Sequence, residues 1–402
     1  MTQATTARVQ RRDNANLISA GYFAAFISLG LVAASLGPTL NNLGEQTAVG
    51  VAQLSLIYPS RSGGYFIGSL LGGRLYDRVA GHMLLAAMLV VMALCMALVP
   101  TLGIFWLLAG VLLITGIAEA IVDVGGNAMI GWVHGVKVGP YMNALHFFFG
   151  VGALISPIIV GLALRYTDGI AWAYWILAVL LLPPALWIVR FTSPTTPARR
   201  AVGEAPAAPL DLVLVGLAVL FMMFVVGAEV SFSGWVATYA VSLNLATRET
   251  AAYLTSVFWG ALTFGRLLSI PIAMRYRPRT ILLADVLGCI AGVALIVAAP
   301  ASGTALWIGA AILGLFMASV FPTVLSWAGR HMTMSGTVTS WFLVGASLGA
   351  ITLPWIIGRL IAAFGPEAAM IAILVDLVVL LGLYFLLMLK GGEPNVHTPA
   401  ES

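Results

Sequence analysis

Apolar runs follow one another along the whole chain, interrupted by short turns rich in Gly, Pro, Asp and Arg. Each is close to the roughly 20 residues that an α-helix needs to cross about 30 Å of hydrocarbon. The pattern predicts twelve membrane-spanning helices, over 17–39, 51–73, 82–100, 103–130, 139–164, 170–191, 211–239, 248–273, 279–299, 304–328, 335–363 and 367–389. The first run is too long for a signal peptide and has no clear small-residue cleavage site after it, so it reads as a span. One longer polar interval, 192–210, is rich in Pro, Ala and charge and reads as a flexible linker. It divides the chain into an N-terminal six-helix bundle over 1–191 and a C-terminal one over 211–402.

Composition agrees with this pattern. Hydrophobic residues make up 61% of the 402 and charged residues 8%, whereas a soluble domain carries about 25% charge to clothe its core. That excludes a disordered chain, a nucleic-acid-binding protein and a secreted disulfide scaffold. Cys95 and Cys289 lie within apolar runs and read as small core residues. No zinc-protease helix, nucleophile elbow or aspartyl-protease string occurs, so neither an enzyme nor a cofactor is expected.

The charge of +4 has a topological meaning. With the N-terminus placed inside the cell, fourteen Lys and Arg residues fall on the cytoplasmic side. Arg165, Arg248 and Arg359 fall outside, and Arg61 and Arg266 lie within spans. The positive-inside rule therefore predicts a multi-pass protein of the cell membrane with both termini and the 192–210 linker in the cytoplasm.

The two halves also resemble each other. At an offset of 197, Gly30 meets Gly227, Gly68 meets Gly265, Arg78 meets Arg275, Gly152 meets Gly349, Pro157 meets Pro354 and Gly161 meets Gly358. Parallel six-helix repeats are one way in which transporters build two bundles that rock about a central site. Gly64, Gly68 and Gly72 form a small-residue stripe, as do Gly150, Gly152 and Gly161, and Gly345 with Gly349. Such stripes serve close static packing, a sliding surface between bundles, or both.

Polar residues inside the spans are the candidate chemistry. Glu119, Asp123 and Asn127 recur every four residues, so they line one stripe of the fourth span. Two carboxylates on one face can share a proton, hold Na⁺ at Asp123 and Asn127, or be satisfied by a neighbouring Arg. Asn143 and His146 share a face of the fifth span at similar depth. His146 can bind a hydroxyl, relay a proton or simply be a hydrogen-bonded core residue. Glu229 is a third intramembrane acid. One turn separates Trp235 from Tyr239, and these rings suit stacking on a sugar or an aromatic belt at the interface. Trp259 and Trp341 are additional aromatic candidates. Arg61 and Arg266 each need a carboxylate partner or a wet cavity, with Glu119, Asp123 and Glu229 as candidate partners. Asp376 is expected to be structural, and Asp285 to reach toward the cytoplasmic arginines.

The turn after the second span reads Gly-x-x-x-Asp-Arg at Gly73, Asp77 and Arg78, and resembles the signature of the major facilitator superfamily. The last Gly of that signature is displaced to Gly81, and His82 stands where a basic residue is usual. The segments DVGGN (123–127), ALHFFFGVGALISP (144–157), GAEVSFSGW (227–235) and AAYLTSVFWGALTFGRLLSIP (251–271) resemble the superfamily's sodium-dependent glucose transporter branch, which is akin to the fucose–proton symporters. The resemblance implies an all-α fold of twelve helices in two bundles, alternating access, action as a monomer, and hexose uptake in symport with Na⁺ or H⁺. It implies that Glu119 binds the coupling proton or contacts sugar and that Asn127, Asn143 and His146 face the cavity, while the residues themselves add Glu229, Trp235, Tyr239 and Trp259 as candidate substrate contacts. Coupling would fall to Glu119 and Asp123, and gating to Gly73, Asp77, Arg78 and Arg266. Fucose-type symporters carry an acid in their first helix and this chain has none there, with Glu229 the candidate replacement. A proton-coupled exporter of drugs or metabolites is the alternative reading.

Overall fold

A computed structural model describes residues 2–167, 169–194, 211–332 and 336–391, so most of the expected linker lies outside the described residues. Among these residues the chain forms fifteen α-helices: α1 Thr2–Ala33, α2 Leu36–Gln46, α3 Val51–Leu54, α4 Ile57–Tyr76, α5 Gly81–Leu98, α6 Phe105–His134, α7 Val138–Thr167, α8 Ala171–Leu180, α9 Leu182–Ile188, α10 Leu212–Ser242, α11 Arg248–Arg275, α12 Pro278–Ala298, α13 Gly303–His331, α14 Gly336–Phe364 and α15 Ala368–Gly391. Eleven stretches of described helix are long and apolar enough to cross a membrane. The remaining expected span, 51–73, is α3 with α4. At 20 residues α4 reaches about 30 Å, but Arg61, Arg74 and several glycines make it less apolar than the others.

Proline explains the helix breaks. Pro38 has no N–H to give to Ala34 and its ring crowds that carbonyl, so the first span divides into α1 and α2 at Ala34–Ser35. Pro183 and Pro184 likewise divide the sixth span into α8 and α9. Helix starts are capped by side chains: Asp211 accepts from the backbone N–H of Val213 and Leu214 at 3.0 and 3.1 Å, and Ser302 from that of Ala305 at 3.2 Å.

Small residues set the packing. Gly64 and Gly68 of α4 lie against the backbone of α6 at Leu113 and Ile117, and Gly116 of α6 lies against Arg61, leaving no room for a Cβ. Gly265 of α11 meets the Leu315 carbonyl of α13 in the same way, at the repeat-related place. Gly30 and Gly152 bring α1 onto α7, and Gly345 and Gly349 bring α14 onto α10. Gly150 and Gly161 differ, because they face Thr263 and Tyr253 of α11, across the junction between N-terminal and C-terminal helices. The stripes are thus divided between fixed packing and the junction.

That junction is closed at one end. Glu45 at the end of α2 takes both arms of the Arg248 guanidinium on α11, one at 2.8 Å. Arg165 of α7 meets Glu249 at 3.5 Å. Behind them Gly37 abuts the Ser233 carbonyl, Gly234 abuts Tyr58, and Gly358 abuts Ser55. At the opposite end residues 270–277 of α11 and its following turn are exposed throughout, as are Asn143 and His146 of α7. The molecule is sealed at one end of its centre, while the polar Asn143 and His146 remain accessible toward the other.

Candidate functional site

Just inside the sealed end, α4 and α6 hold two carboxylates by different means. Arg61 donates from Nε to Glu119 Oε2 at 2.9 Å and from Nη2 to Oε1 at 2.5 Å. Its Nη1 reaches the Ala33 carbonyl at 3.3 Å, where the proline break ends α1. Glu119 is 3% exposed. A bidentate guanidinium–carboxylate pair is the form in which a buried acid is most readily kept ionised. The glycine stripe makes this pair reachable, because Gly64, Gly68 and Gly116 let the two helices touch backbone to backbone.

Asp123, one turn along α6, has no cation within ion-pair distance among the described residues. Tyr65 donates its hydroxyl to Oδ2, and Asn127 donates its amide to Oδ1 and to the Asp123 carbonyl, both at 2.9 Å. The stripe of Glu119, Asp123 and Asn127 is therefore assembled as one polar ladder. Its two acids are unequal: one is neutralised by an arginine, the other held only by neutral donors. Asp123 and Asn127 are half-buried, so this rung borders the interior space.

Across the junction, Arg266 of α11 donates to the His146 carbonyl of α7 at 3.4 Å. It lies within electrostatic reach of Glu229 on α10 without forming a direct ion pair with it. Phe26 of α1 lies against Gly126 and meets the His146 ring edge-on at 5.9 Å, which links the ladder to the exposed face bearing Asn143 and His146.

The aromatic candidates stand elsewhere. Trp235 is fully buried and donates from Nε1 to the Pro354 carbonyl at 2.9 Å, and Tyr239 is 2% exposed. Neither presents a ring face to open space in this conformation. Trp259 is buried between Phe149 and Phe258, with its Nε1 unpartnered among the described residues. Trp341 is more than half exposed. In the signature turn, Gly72 packs on Val124 while Gly73 faces open space, and Asp77 and Arg78 are exposed with no ion pair among the described residues. Asp285 does not reach outward: it is buried and accepts from Ser319 at 2.6 Å, because α13 supplies a donor closer than any arginine. Asp376 is buried in α15 with neither oxygen partnered among the described residues. Tyr65 escaped the sequence reading, although it lies four residues after Arg61 on the same stripe as the glycines. That spacing was the available signal.

Helices that cross a bilayer, paired across a junction that closes at one end over buried charge, define a membrane transporter. Residues 18–354 match the Major Facilitator Superfamily, and the chain belongs to that family. It is 32% identical over 360 residues to sodium-dependent glucose transporter 1 of Xenopus laevis, covering 82% of this chain and 73% of the relative. With sodium-dependent glucose transporter 1A of Mus musculus it shares 30% identity over 375 residues, covering 84% and 88%. Its fold matches a crystal structure of a nucleoside transporter with a TM-score of 0.76 at 14% identity, over 92% of this chain and all of that one. The protein is a multi-pass membrane transporter of this superfamily.

Proposed function

We propose that the protein imports a hexose such as glucose in symport with Na⁺ or H⁺. The observation that carries this reading is the inequality of the two acids on α6. Glu119 is already paired with Arg61, and its oxygens keep lone pairs that can accept from sugar hydroxyls. Asp123 has no cation beside it among the described residues, so binding one there, or a proton, removes the cost of an uncompensated charge in a low-dielectric interior. Asn127 completes a set of oxygen donors suited to Na⁺. The relatives' names point the same way, since both are sodium-dependent glucose transporters.

In this reading residues 1–191 and 211–402 form two bundles joined by a cytoplasmic linker at 192–210, in a cell-membrane monomer with both termini inside. The sealed end is extracellular, and the exposed stretch 270–277 lies at a cytoplasmic mouth. Asn143, His146 and Glu229 border the path on its open side, with Arg266 spanning the bundles. Trp235, Tyr239 and Trp259 would contact sugar after the sealed end opens. Gly73, Asp77 and Arg78, unengaged here, would act when the cytoplasmic mouth closes.

The test is uptake of glucose and of fucose into proteoliposomes, with the Na⁺ gradient and the pH gradient imposed separately. Accumulation driven by one of the two is the expected result. If neither sugar moves under either gradient, the substrate assignment falls while the transporter fold stands.

A further inference from the structure

Between the α1–α2 break and the start of α4 lies a small cavity of about 30 Å³, bordered by Gly37, Tyr58, Arg61, Ser62, Ser233 and Gly234. That is room for about two water-sized groups, too little for a sugar ring and enough for a hydroxyl or hydroxymethyl group. Two of its walls are chemically incomplete. The Tyr58 side chain is 3% exposed, and its hydroxyl has no hydrogen-bond partner among the described residues. Arg61 commits three of its five N–H groups, two to Glu119 and one to Ala33, which leaves two without a partner among the described residues.

We propose that this cavity seats one hydroxyl-bearing arm of the transported sugar. The hydroxyl accepts from a remaining N–H of Arg61 and donates to the Tyr58 oxygen, with Ser62 beside it. The assignment rests on the reading of the protein as a sugar carrier and adds where part of the sugar binds. A neutral group is specified over an anion because Glu119 already cancels the Arg61 charge. The position also ties recognition to the gate. Gly37, Tyr58 and Ser62 belong to the N-terminal helices, Ser233 and Gly234 to α10, so the cavity is complete only while that end is sealed. A Cβ at Gly234 would strike the Tyr58 hydroxyl and a Cβ at Gly37 the Ser233 carbonyl, so glycine at both places lets the walls meet.

The test is equilibrium competition binding of glucose, its 2-, 3-, 4- and 6-deoxy derivatives and xylose to the purified full-length protein. The wild type is compared with Tyr58→Phe and with Ser62→Val, which fills the cavity. One analogue is expected to bind the wild type at least about tenfold more weakly than glucose, since it loses a hydrogen bond from the charged Arg61 and one to Tyr58. In Tyr58→Phe, which keeps the Arg61 donor, that ratio should fall by about threefold to tenfold. Should Tyr58→Phe fail to fold, the same ratio must collapse in Ser62→Val. Sugars that bind with every ratio unchanged in the variants overturn this assignment alone. A protein that binds none of these sugars overturns the sugar-carrier reading, and this assignment with it.

Discussion

Arg61 and Glu119 hold each other in a place where neither is tolerable alone. Removing one partner of such a buried pair costs about 3–5 kcal/mol, because it strands the other charge. Arg61→Gln and Glu119→Gln should therefore each lower the thermal unfolding midpoint strongly, while the double variant, which buries no net charge, recovers much of the loss. Equal loss in the single and double variants would show that the pair is not the source. Asp123 predicts something different. Asp123→Asn can still accept from Asn127 and, with the Tyr65 hydroxyl turned from donor to acceptor, donate to Tyr65. It has no charge with which to take up an ion, so the driving gradient should lose its effect while sugar exchange at equal concentrations persists. Retained ion-driven accumulation in that variant would remove Asp123 from the coupling role. The acids and Asn127 were legible in the sequence because a four-residue recurrence inside an apolar span has few innocent explanations. Which acid belongs to Arg61 was not legible, since Asp123 and Glu119 lie one turn apart and only the approach of α4 decides between them.

The helices depend on glycine in two distinct ways. Gly68 touches the α6 backbone within the N-terminal set, so Gly68→Val should separate α4 from α6 and destabilise by about 1–3 kcal/mol, as overpacking does. Gly150 faces Thr263 across the junction. Gly150→Val should therefore spare the thermal midpoint more than Gly68→Val does and reduce the transport rate further. The reverse ranking in paired melting and uptake measurements would mean that the two stripes have been assigned the wrong way round. Nothing in a small-residue stripe itself says which neighbour it meets, so the sequence left packing and sliding both open. The proline breaks were equally hidden, since hydropathy counts apolar residues and is blind to the carbonyl that Pro38 crowds.

For the molecule as a whole, the sealed end is the element whose balance sets access. The Arg248 guanidinium holds the Glu45 carboxyl below its usual range, so the pair's contribution is fully present above the ordinary glutamate pKa of about 4.3 and is lost as pH falls through the depressed value. Both side chains are largely exposed, and such a pair contributes only about 0.2–1 kcal/mol, equivalent to about a 1.5- to 5-fold shift between sealed and open populations. Glu45→Gln should accordingly raise the labelling rate of a cysteine placed at Ser233 by a similar factor at neutral pH, and high salt should do the same to the wild type. A labelling rate that responds to neither would place the seal in the glycine contacts behind the ion pairs.

The sequence by itself determined the solvent, because a chain with 61% apolar and 8% charged residues can be stable only with its surface in lipid. It also determined the all-helical character, since backbone groups in hydrocarbon must be paired in helices or closed barrels and apolar runs of about 20 residues have the length of a helix, not of a barrel strand. It marked the polar stripe on α6 as well. The tertiary structure alone decided the partners: Arg61 with Glu119, Tyr65 with Asp123, Trp235 turned inward onto Pro354, and one end sealed while Asn143 and His146 stay accessible toward the other. These are contacts between residues far apart in the chain, such as Glu45 with Arg248 and Ser55 with Gly358. The periodicity of a single helix specifies which of its faces is polar, and the identity of what lies opposite is settled only by how closely glycine allows a second backbone to approach.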